Sequence, residues 1–374
     1  MSVSVDKSLI PSDPRFGVGP SLIPQAFLES LLKTGSDYLG TSHRKAPVIS
    51  VVKEIQSGLL DYFKLSDEYL VCIGNGGASF LFDMIGLGLV KKKSAHFCCG
   101  EFSNKWFNSH ANIPWIETEK FSVELGEGLN PHDVEDADMI CATLNETSTG
   151  VIINDIPDLS GTDKLFVLDA TSGGGQVLVD MKKVDVFFLS PQKVMGSEGG
   201  TFVAILSPKA QKRALEIAKN NQRYIPHIMD WEASIAYAKK HQTLNTPSLS
   251  SLFFFNEQVK LMNKLGAKAV EEQALAKAKL VYDWAKEKEY LKPFVDDDLF
   301  RSHSVAVIDV LADIDLDGLL SELVKEKIAY DIGGYRKIGK RQFRIGLFHN
   351  IALSDLEKLV KVLSLKIEEN LDKV

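Results

Sequence analysis

Lys193 and Asp169 are the two side chains whose setting in this sequence points most directly to chemistry. Lys193 lies in Ser190-Pro191-Gln192-Lys193-Val194-Met195-Gly196-Ser197-Glu198-Gly199-Gly200, between the apolar runs Val184-Asp185-Val186-Phe187-Phe188-Leu189 and Thr201-Phe202-Val203-Ala204-Ile205-Leu206. A cation between two core strands is costly unless it is paired, deprotonated or covalently engaged, and a desolvated amine is the nucleophile that a Schiff base needs. Taken alone, the lysine also reads as an ordinary loop residue reaching solvent. Asp169 closes the run Phe166-Val167-Leu168, so one connection and one strand separate it from Lys193, and the two can face one crevice from neighbouring strands. An amine and a carboxylate held apart by a flat ligand match a site for pyridoxal 5'-phosphate (PLP), with lysine on the carbonyl carbon and aspartate keeping the pyridine nitrogen protonated. A structural ion pair is the competing reading.

The elements that must position this pair follow from hydrophobic patterning. Residues 69–73, 95–99, 139–143 and 164–168, with the two runs around Lys193, are apolar segments interleaved with helical patterns, which describes an α/β fold with a mainly parallel sheet covered by helices on both faces. Such sheets hold ligands at the carboxyl ends of their strands. Here those ends carry residues 74–79, Gly100-Glu101-Phe102, Asn145-Glu146-Thr147, Asp169-Ala170-Thr171-Ser172 and Gln192-Lys193. Gly74-Asn75-Gly76-Gly77-Ala78-Ser79, between a strand and an apolar helix, is an anion-binding arrangement of bare backbone amides. It lacks the Gly-Lys-Ser/Thr of a P-loop and the last glycine of a dinucleotide fingerprint. Residues 90–99 also supply no acid to hold a ribose, which disfavours a nucleotide-binding protein.

Helical patterns at 24–32 and 48–63 flank a polar loop that carries His43 and Arg44. Downstream, helices are expected at 208–220 and 231–240, and along 250–288 with a break at Leu265-Gly266. A small α+β domain follows, with strands at 305–310, 328–330 and 342–348, a helix at 316–326, and a last helix opened by the capping box Ser354-Asp355-Leu356-Glu357. The expected division is a large domain at 16–265 and a small one at 266–374, joined by the N-terminal segment 1–15. The densest basic stretch runs from Tyr335 to Arg344 and contains Arg336.

A net charge of −7 over 374 residues argues against nucleic acid or an anionic membrane as the main partner, so an anionic substrate must meet locally clustered cations. Cys72, Cys98, Cys99 and Cys141 sit in strand-like runs without a CxxC pair, which reads as buried thiols in a reducing compartment, and no metal site is expected. No apolar run reaches spanning length and residues 1–7 lack a basic-then-apolar leader, so a cytoplasmic protein is expected.

In chain order, Gly76-Gly77-Ala78-Ser79, Gly100-Glu101-Phe102-Ser103, Asn145-Glu146-Thr147-Ser148-Thr149-Gly150, Asp169-Ala170-Thr171-Ser172, Ser190-Pro191-Gln192-Lys193, Asn245-Thr246-Pro247 and Tyr335-Arg336-Lys337 with Arg344 form an ordered motif set. From about Phe16 to the C-terminal helix this set resembles the phosphoserine aminotransferase family, class V aminotransferases of PLP fold type I, and most closely its actinobacterial-type branch. The resemblance implies a Schiff base at Lys193, pyridine pairing by Asp169, ring stacking by Phe102 and contact of Thr147 with the pyridine hydroxyl region. It assigns the cofactor phosphate to Ala78, Ser79, Ser172 and Gln192, and to Asn245 and Thr246 of the partner subunit in a homodimer. Arg344 is assigned to the substrate α-carboxylate, and His43, Arg44 and Arg336 to its distal anion. The implied reaction is transamination between O-phospho-L-serine and 2-oxoglutarate in serine biosynthesis. The alternative is another class V enzyme such as an alanine–glyoxylate (serine–pyruvate) aminotransferase. A cysteine desulfurase would need a mobile cysteine, and all four here look strand-bound. Two positions depart from the common pattern: Phe102 stands where many members stack a tryptophan, with Trp106 one helical turn on as a substitute, and Tyr335 stands where many carry histidine.

Overall fold

In the computed structural model, which describes residues 6–220 and 222–371, the apolar runs flanking Lys193 are adjacent strands of one sheet. In chain order, α1 (Gln25–Lys33) and α2 (Ala46–Phe63) precede β1 (Leu70–Asn75), α3 (Ala78–Leu89), β2 (Lys93–Cys98), α4 (Glu101–Ala111), β3 (Glu117–Ser122) and β4 (Met139–Thr143). A short hairpin, β5 (Asn145–Glu146) and β6 (Val151–Ile152), leads to β7 (Leu165–Asp169), β8 (Val186–Leu189) and β9 (Thr201–Leu206). The chain continues through α5 (Pro208–Lys219), α6 (Trp231–Ala238), α7 (Leu249–Leu265) and α8 (Ala267–Glu287). It ends with β10 (Leu291–Pro293), β11 (Val305–Val310), α9 (Leu316–Lys325), β12 (Gln342–Gly346) and α10 (Leu353–Leu371).

The large sheet has seven strands in the order β1-β9-β8-β7-β4-β2-β3. Only β9 runs against its neighbours; the other pairs are parallel. Because β8 and β9 are antiparallel neighbours, the chain turns straight back at the carboxyl end of β8, and residues 190–200 stay on the rim where the parallel strands finish. That reversal carries Lys193 to the rim, while β7, paired with β8, ends beside it at Asp169.

The strands are apolar on both faces because both faces are covered. Ile140, Ala142, Phe166, Leu168, Phe187 and Leu189 point into the core shared with α2, α7, α8 and the second sheet. Their alternates Met139, Cys141, Leu165, Val167, Val186 and Phe188 point into a second core with α3, α5, α6 and Trp106. The edge strand β3 reads Glu-Thr-Glu-Lys-Phe-Ser and is half exposed, a charged edge that discourages pairing with another chain.

The second sheet, β10-β11-β12, is antiparallel. Two expectations are corrected here. Residues 328–330 form no strand; Tyr330 makes only an isolated bridge with Arg15, its N–H donating to the Pro14 carbonyl at 2.7 Å. The last helix starts at Leu353, ahead of the expected cap at Ser354, and the Asp355 carboxylate accepts instead from the Ser12 and Asp13 amides at 2.7 and 3.3 Å. At Tyr330 the N-terminal segment takes the backbone bond that a ladder would use, while the last helix is opened by the Ala352 carbonyl, which accepts from the amides of Asp355 and Leu356 at 3.1 and 3.2 Å.

Candidate active site

A cavity of about 230 Å³ opens on the rim of the large sheet, and both Lys193 and Asp169 line it. Lys193 is 9% exposed and Asp169 3%, so each charge stands largely outside water. Burial pulls the Lys193 amine down to about 8, against the attraction of Asp169. The same desolvation pushes the Asp169 carboxyl up to about 6, although the Thr171 hydroxyl and amide favour its ionised form. Those two Thr171 groups donate to Oδ1 at 2.6 and 2.9 Å, and Oδ2 has no hydrogen-bond donor among the described residues. The Lys193 Nζ donates to Thr147 Oγ1 at 3.0 Å, and Thr147 in turn donates to Ser172 Oγ at 2.8 Å. Gly19 seats the lysine stem from outside the sheet. Its φ is +133°, and a Cβ there would stand 2.8 Å from Lys193 Cε, so this place admits only glycine without displacement.

One end of the cavity is built for an anion. Gly77, Ala78 and Ser79 line it where α3 begins, and Gly77 offers no side chain to cap the helix amides. Ser172, Ser190, Gln192 and Gly200 lie around the same cavity. The buried Gln192 Oε1 and Thr143 Oγ1 have no partner, which marks a polar surface that awaits a ligand rather than a finished core.

Part of the lining is aromatic. Phe102 lines the cavity with its centroid 5.3 Å from Lys193 Nζ. Trp106 does not offer an alternative ring: it is 1% exposed, stacks on Phe82 and donates to His110 Nε2 at 3.1 Å, inside the second core. Phe102 is placed by Glu146, a fully buried carboxylate that accepts from the amides of Phe102, Ser103 and Ser148 and from both serine hydroxyls. Tyr335 approaches Phe102 at 5.8 Å, and the Arg344 guanidinium lies 5.1 Å from the Tyr335 ring centre. The buried Arg344 Nε is unpartnered, and Nη1 makes only a long bond of 3.4 Å to the Thr147 carbonyl.

Four residues named from the sequence gather elsewhere. His43 Nδ1 lies 3.1 Å from Thr246 Oγ1, and Arg44 donates to Gln242 Oε1 and to the Thr243 and Leu244 carbonyls at 2.7–3.0 Å while resting 4.4 Å from the Tyr237 ring centre. His43, Arg44, Asn245 and Thr246 are therefore one surface unit, and none of them lines the cavity of its own chain. Arg336 is exposed and borders a different hollow, with Tyr335, Lys340 and Arg341. Sequence reasoning did not assign Thr143, Asn145, Thr171, Ser190 or Gly200, all of which line the cavity. Asn145, Thr171 and Ser190 lie within quoted motifs, Gly200 ends the stretch around Lys193 and Thr143 ends an expected strand, which was the available signal. His96, His110 and Cys141 bring their heteroatoms within 4.8 Å in the second core, where the imidazoles share bonds of 3.0–3.1 Å with Ser94 and each other and burial keeps both neutral.

A lysine on the turn after β8, an aspartate at the end of β7 and an anion cradle at the start of α3 agree with what comparison of the whole sequence finds. The family profile described as Aminotransferase class-V matches residues 16–335, and the chain belongs to the class V aminotransferases. It is 36% identical over 358 residues to the phosphoserine aminotransferase of Corynebacterium glutamicum, with 95% of each chain covered. The phosphoserine aminotransferase of Rhodococcus jostii is 36% identical over 360 residues, 96% of each chain. Among solved structures, a phosphoserine aminotransferase from Cytophaga hutchinsonii superposes with a TM-score of 0.86 at 25% identity, covering 95% of this chain and 99% of that one. The PLP-bound phosphoserine aminotransferase of Trichomonas vaginalis shares the fold, with a TM-score of 0.79 at 19% identity over 94% and 99% of the two chains.

Proposed function

We propose that this chain is a PLP-dependent phosphoserine aminotransferase, moving an amino group between O-phospho-L-serine and 2-oxoglutarate to give 3-phosphohydroxypyruvate and L-glutamate in serine biosynthesis. The observation that carries the reading is the buried Lys193–Asp169 pair in one cavity with the backbone amides of Gly77, Ala78 and Ser79 at the start of α3. Those residues fit PLP: an amine for its aldehyde, a carboxylate with a free oxygen for its ring nitrogen, Phe102 for its ring face, and Ala78, Ser79, Ser172 and Gln192 for its phosphate. When bound, PLP supplies a carbonyl for the substrate amine and a ring that accepts electrons from the substrate Cα.

The chain's own groups do the rest. Lys193, with its amine near 8, is a base strong enough to take a proton from the substrate Cα and weak enough to return it, and Thr147 holds Nζ in place. Asp169 keeps a proton on the cofactor's ring nitrogen. Arg344, with spare donors beside Thr147, takes the α-carboxylate and so fixes Cα near Lys193. We further read the enzyme as a cytoplasmic homodimer in which His43, Arg44, Asn245 and Thr246 complete the partner's site together, with His43 and Arg336 at the distal anion and Arg44 bracing the loop that carries Asn245 and Thr246. Their clustering on the surface of one chain supports that reading. Among the described residues no helix is long and apolar enough to cross a membrane. We divide the chain into a large domain at 16–265 and a small one at 266–374 with the N-terminal segment. The bonds from residues 12–14 to Asp355 and Tyr330 support that attachment, and residues 1–5 lie outside the described structure.

Borohydride reduction of the PLP-loaded protein followed by peptide mapping should place the cofactor on Lys193, and the protein should transaminate 3-phosphohydroxypyruvate with glutamate. A label on another lysine, or turnover confined to alanine and glyoxylate, would overturn the assignment. Mixing inactive Lys193→Ala protomers with inactive Asn245→Ala/Thr246→Ala protomers should restore some activity through hybrid dimers. No recovery after confirmed exchange would show that each site is built within one chain.

A further inference from the structure

Next to Phe102, which lines the cavity, stands positive charge that the assignments above leave unused. Glu101 opens α4, and its carboxylate pairs with Lys337, on the loop after Tyr335, while standing 3.9 Å from Lys105, one turn along α4. Two lysines from separate parts of the chain thus converge on one carboxylate. Lys105 Nζ is 4.8 Å from the Phe102 ring centre, and Lys193 Nζ is 5.3 Å from the same centre. The two amines are therefore no farther apart than the sum of those distances, and the positive charge of Lys105 is felt at Lys193. Arg344 lies by Tyr335, Tyr335 by Phe102, and Phe102 by Lys105, so cations stand at both ends of one aromatic row.

We propose that Lys105 and Lys337 receive the distal phosphate of the substrate, and that Glu101 occupies the space between them until that phosphate displaces it. The proposal rests on the phosphoserine reading. Three bonds, roughly 4 Å, separate Cα of phosphoserine from its phosphorus, with the phosphate oxygens reaching beyond. The row that runs from Arg344 through Tyr335 and Phe102 to Lys105 offers a cation to each charged end of such a substrate. Charge also favours the exchange. Two ammonium groups facing one carboxylate leave an excess positive charge, which a phosphate dianion neutralises and another monocarboxylate does not. The start of α4 adds its own attraction for an anion once the Glu101 charge has moved away.

The test uses the PLP-loaded enzyme, KM and kcat for O-phospho-L-serine and for alanine, and inhibition by inorganic phosphate. Lys105→Met and Lys337→Met should each raise KM for phosphoserine, relative to that for alanine, by about tenfold, the weight of one charged hydrogen bond. Lys105→Arg should recover most of that loss. Glu101→Gln should act in the opposite direction, lowering KM for phosphoserine and strengthening phosphate inhibition. Parallel losses with both amino acids in the lysine variants, or a higher phosphoserine KM in Glu101→Gln, would overturn the proposal and leave the three residues as a structural clasp. A wild-type enzyme that does not turn over phosphoserine would instead overturn the reading on which it rests.

Discussion

Replacing Asp169 by asparagine should stabilise the cofactor-free protein at alkaline pH while abolishing nearly all turnover. The Asp169 carboxyl is pushed from its ordinary 3.8 to about 6 by burial, a preference for the neutral form of roughly 3 kcal/mol. Because the folded value lies above the unfolded one, the penalty is absent below 3.8, grows as pH rises, and is complete once pH passes about 6. Lys193 offsets part of it only while charged, and with its amine near 8 that help fades at alkaline pH. An asparagine keeps an oxygen to accept both Thr171 donors and carries no charge to desolvate. Urea unfolding of the cofactor-free proteins at about pH 9 should therefore show the variant more stable by roughly 3 kcal/mol, with the difference shrinking steadily toward pH 4. A variant less stable than wild type at pH 9, or a difference that ignores pH, would show that the Asp169 charge is not under strain in the folded chain. The loss of turnover has a separate origin, since an amide cannot hold the proton on the cofactor's ring nitrogen.

Gly19→Ala should fold but lose much of its PLP occupancy, because the new methyl meets Lys193 Cε at 2.8 Å on backbone with φ of +133°; cofactor absorbance after dialysis reads this directly. Glu146→Gln should destabilise the protein by about 3 kcal/mol or more, since an amide NH₂ would face donors where a carboxylate now accepts from five, and chemical denaturation measures the loss. Arg44→Ala should lower PLP affinity and turnover with monoanionic and dianionic substrates alike, because its terminal nitrogens hold residues 242–244 in place for Asn245 and Thr246. A loss confined to dianionic substrates would return Arg44 to direct contact with the distal anion.

The sheet was legible where its strands are buried on both faces. Residues 139–143, 165–169, 186–189 and 201–206 have little choice of environment, so their composition states their place. Strand β3 was not legible for the opposite reason: as a solvated edge it carries Glu117, Glu119 and Lys120, which resemble a loop. Residues 328–330 erred the other way, with apolar residues buried against the core but no neighbouring strand available for a ladder. At the site, Lys193 and Asp169 were legible because a polar residue at the end of a buried strand has few structural uses. Glu146 is at the end of an equally buried stretch and serves such a structural use. Its role depends on amides and hydroxyls of residues 102, 103 and 148, a convergence that no local spacing encodes.

The cavity combines two kinds of polar group, and burial treats them differently. Glu146 is surrounded by donors that the fold delivers, so its charge holds Phe102 and the start of α4 in place. Asp169 and Lys193 receive fewer bonds than their charges call for, and each is displaced toward its neutral form, one to about 6 and the other to about 8. A chain selected for stability alone would replace that pair with apolar residues of similar size, as buried ion pairs tolerate. The missing bonds are those that a ligand with an aldehyde, a basic ring nitrogen and a phosphate would restore, together with the unpartnered Gln192 oxygen and the bare amides at Gly77. The under-bonded groups at this rim therefore describe the ligand by its chemistry, and the fully bonded Glu146 fixes the wall against which that ligand lies.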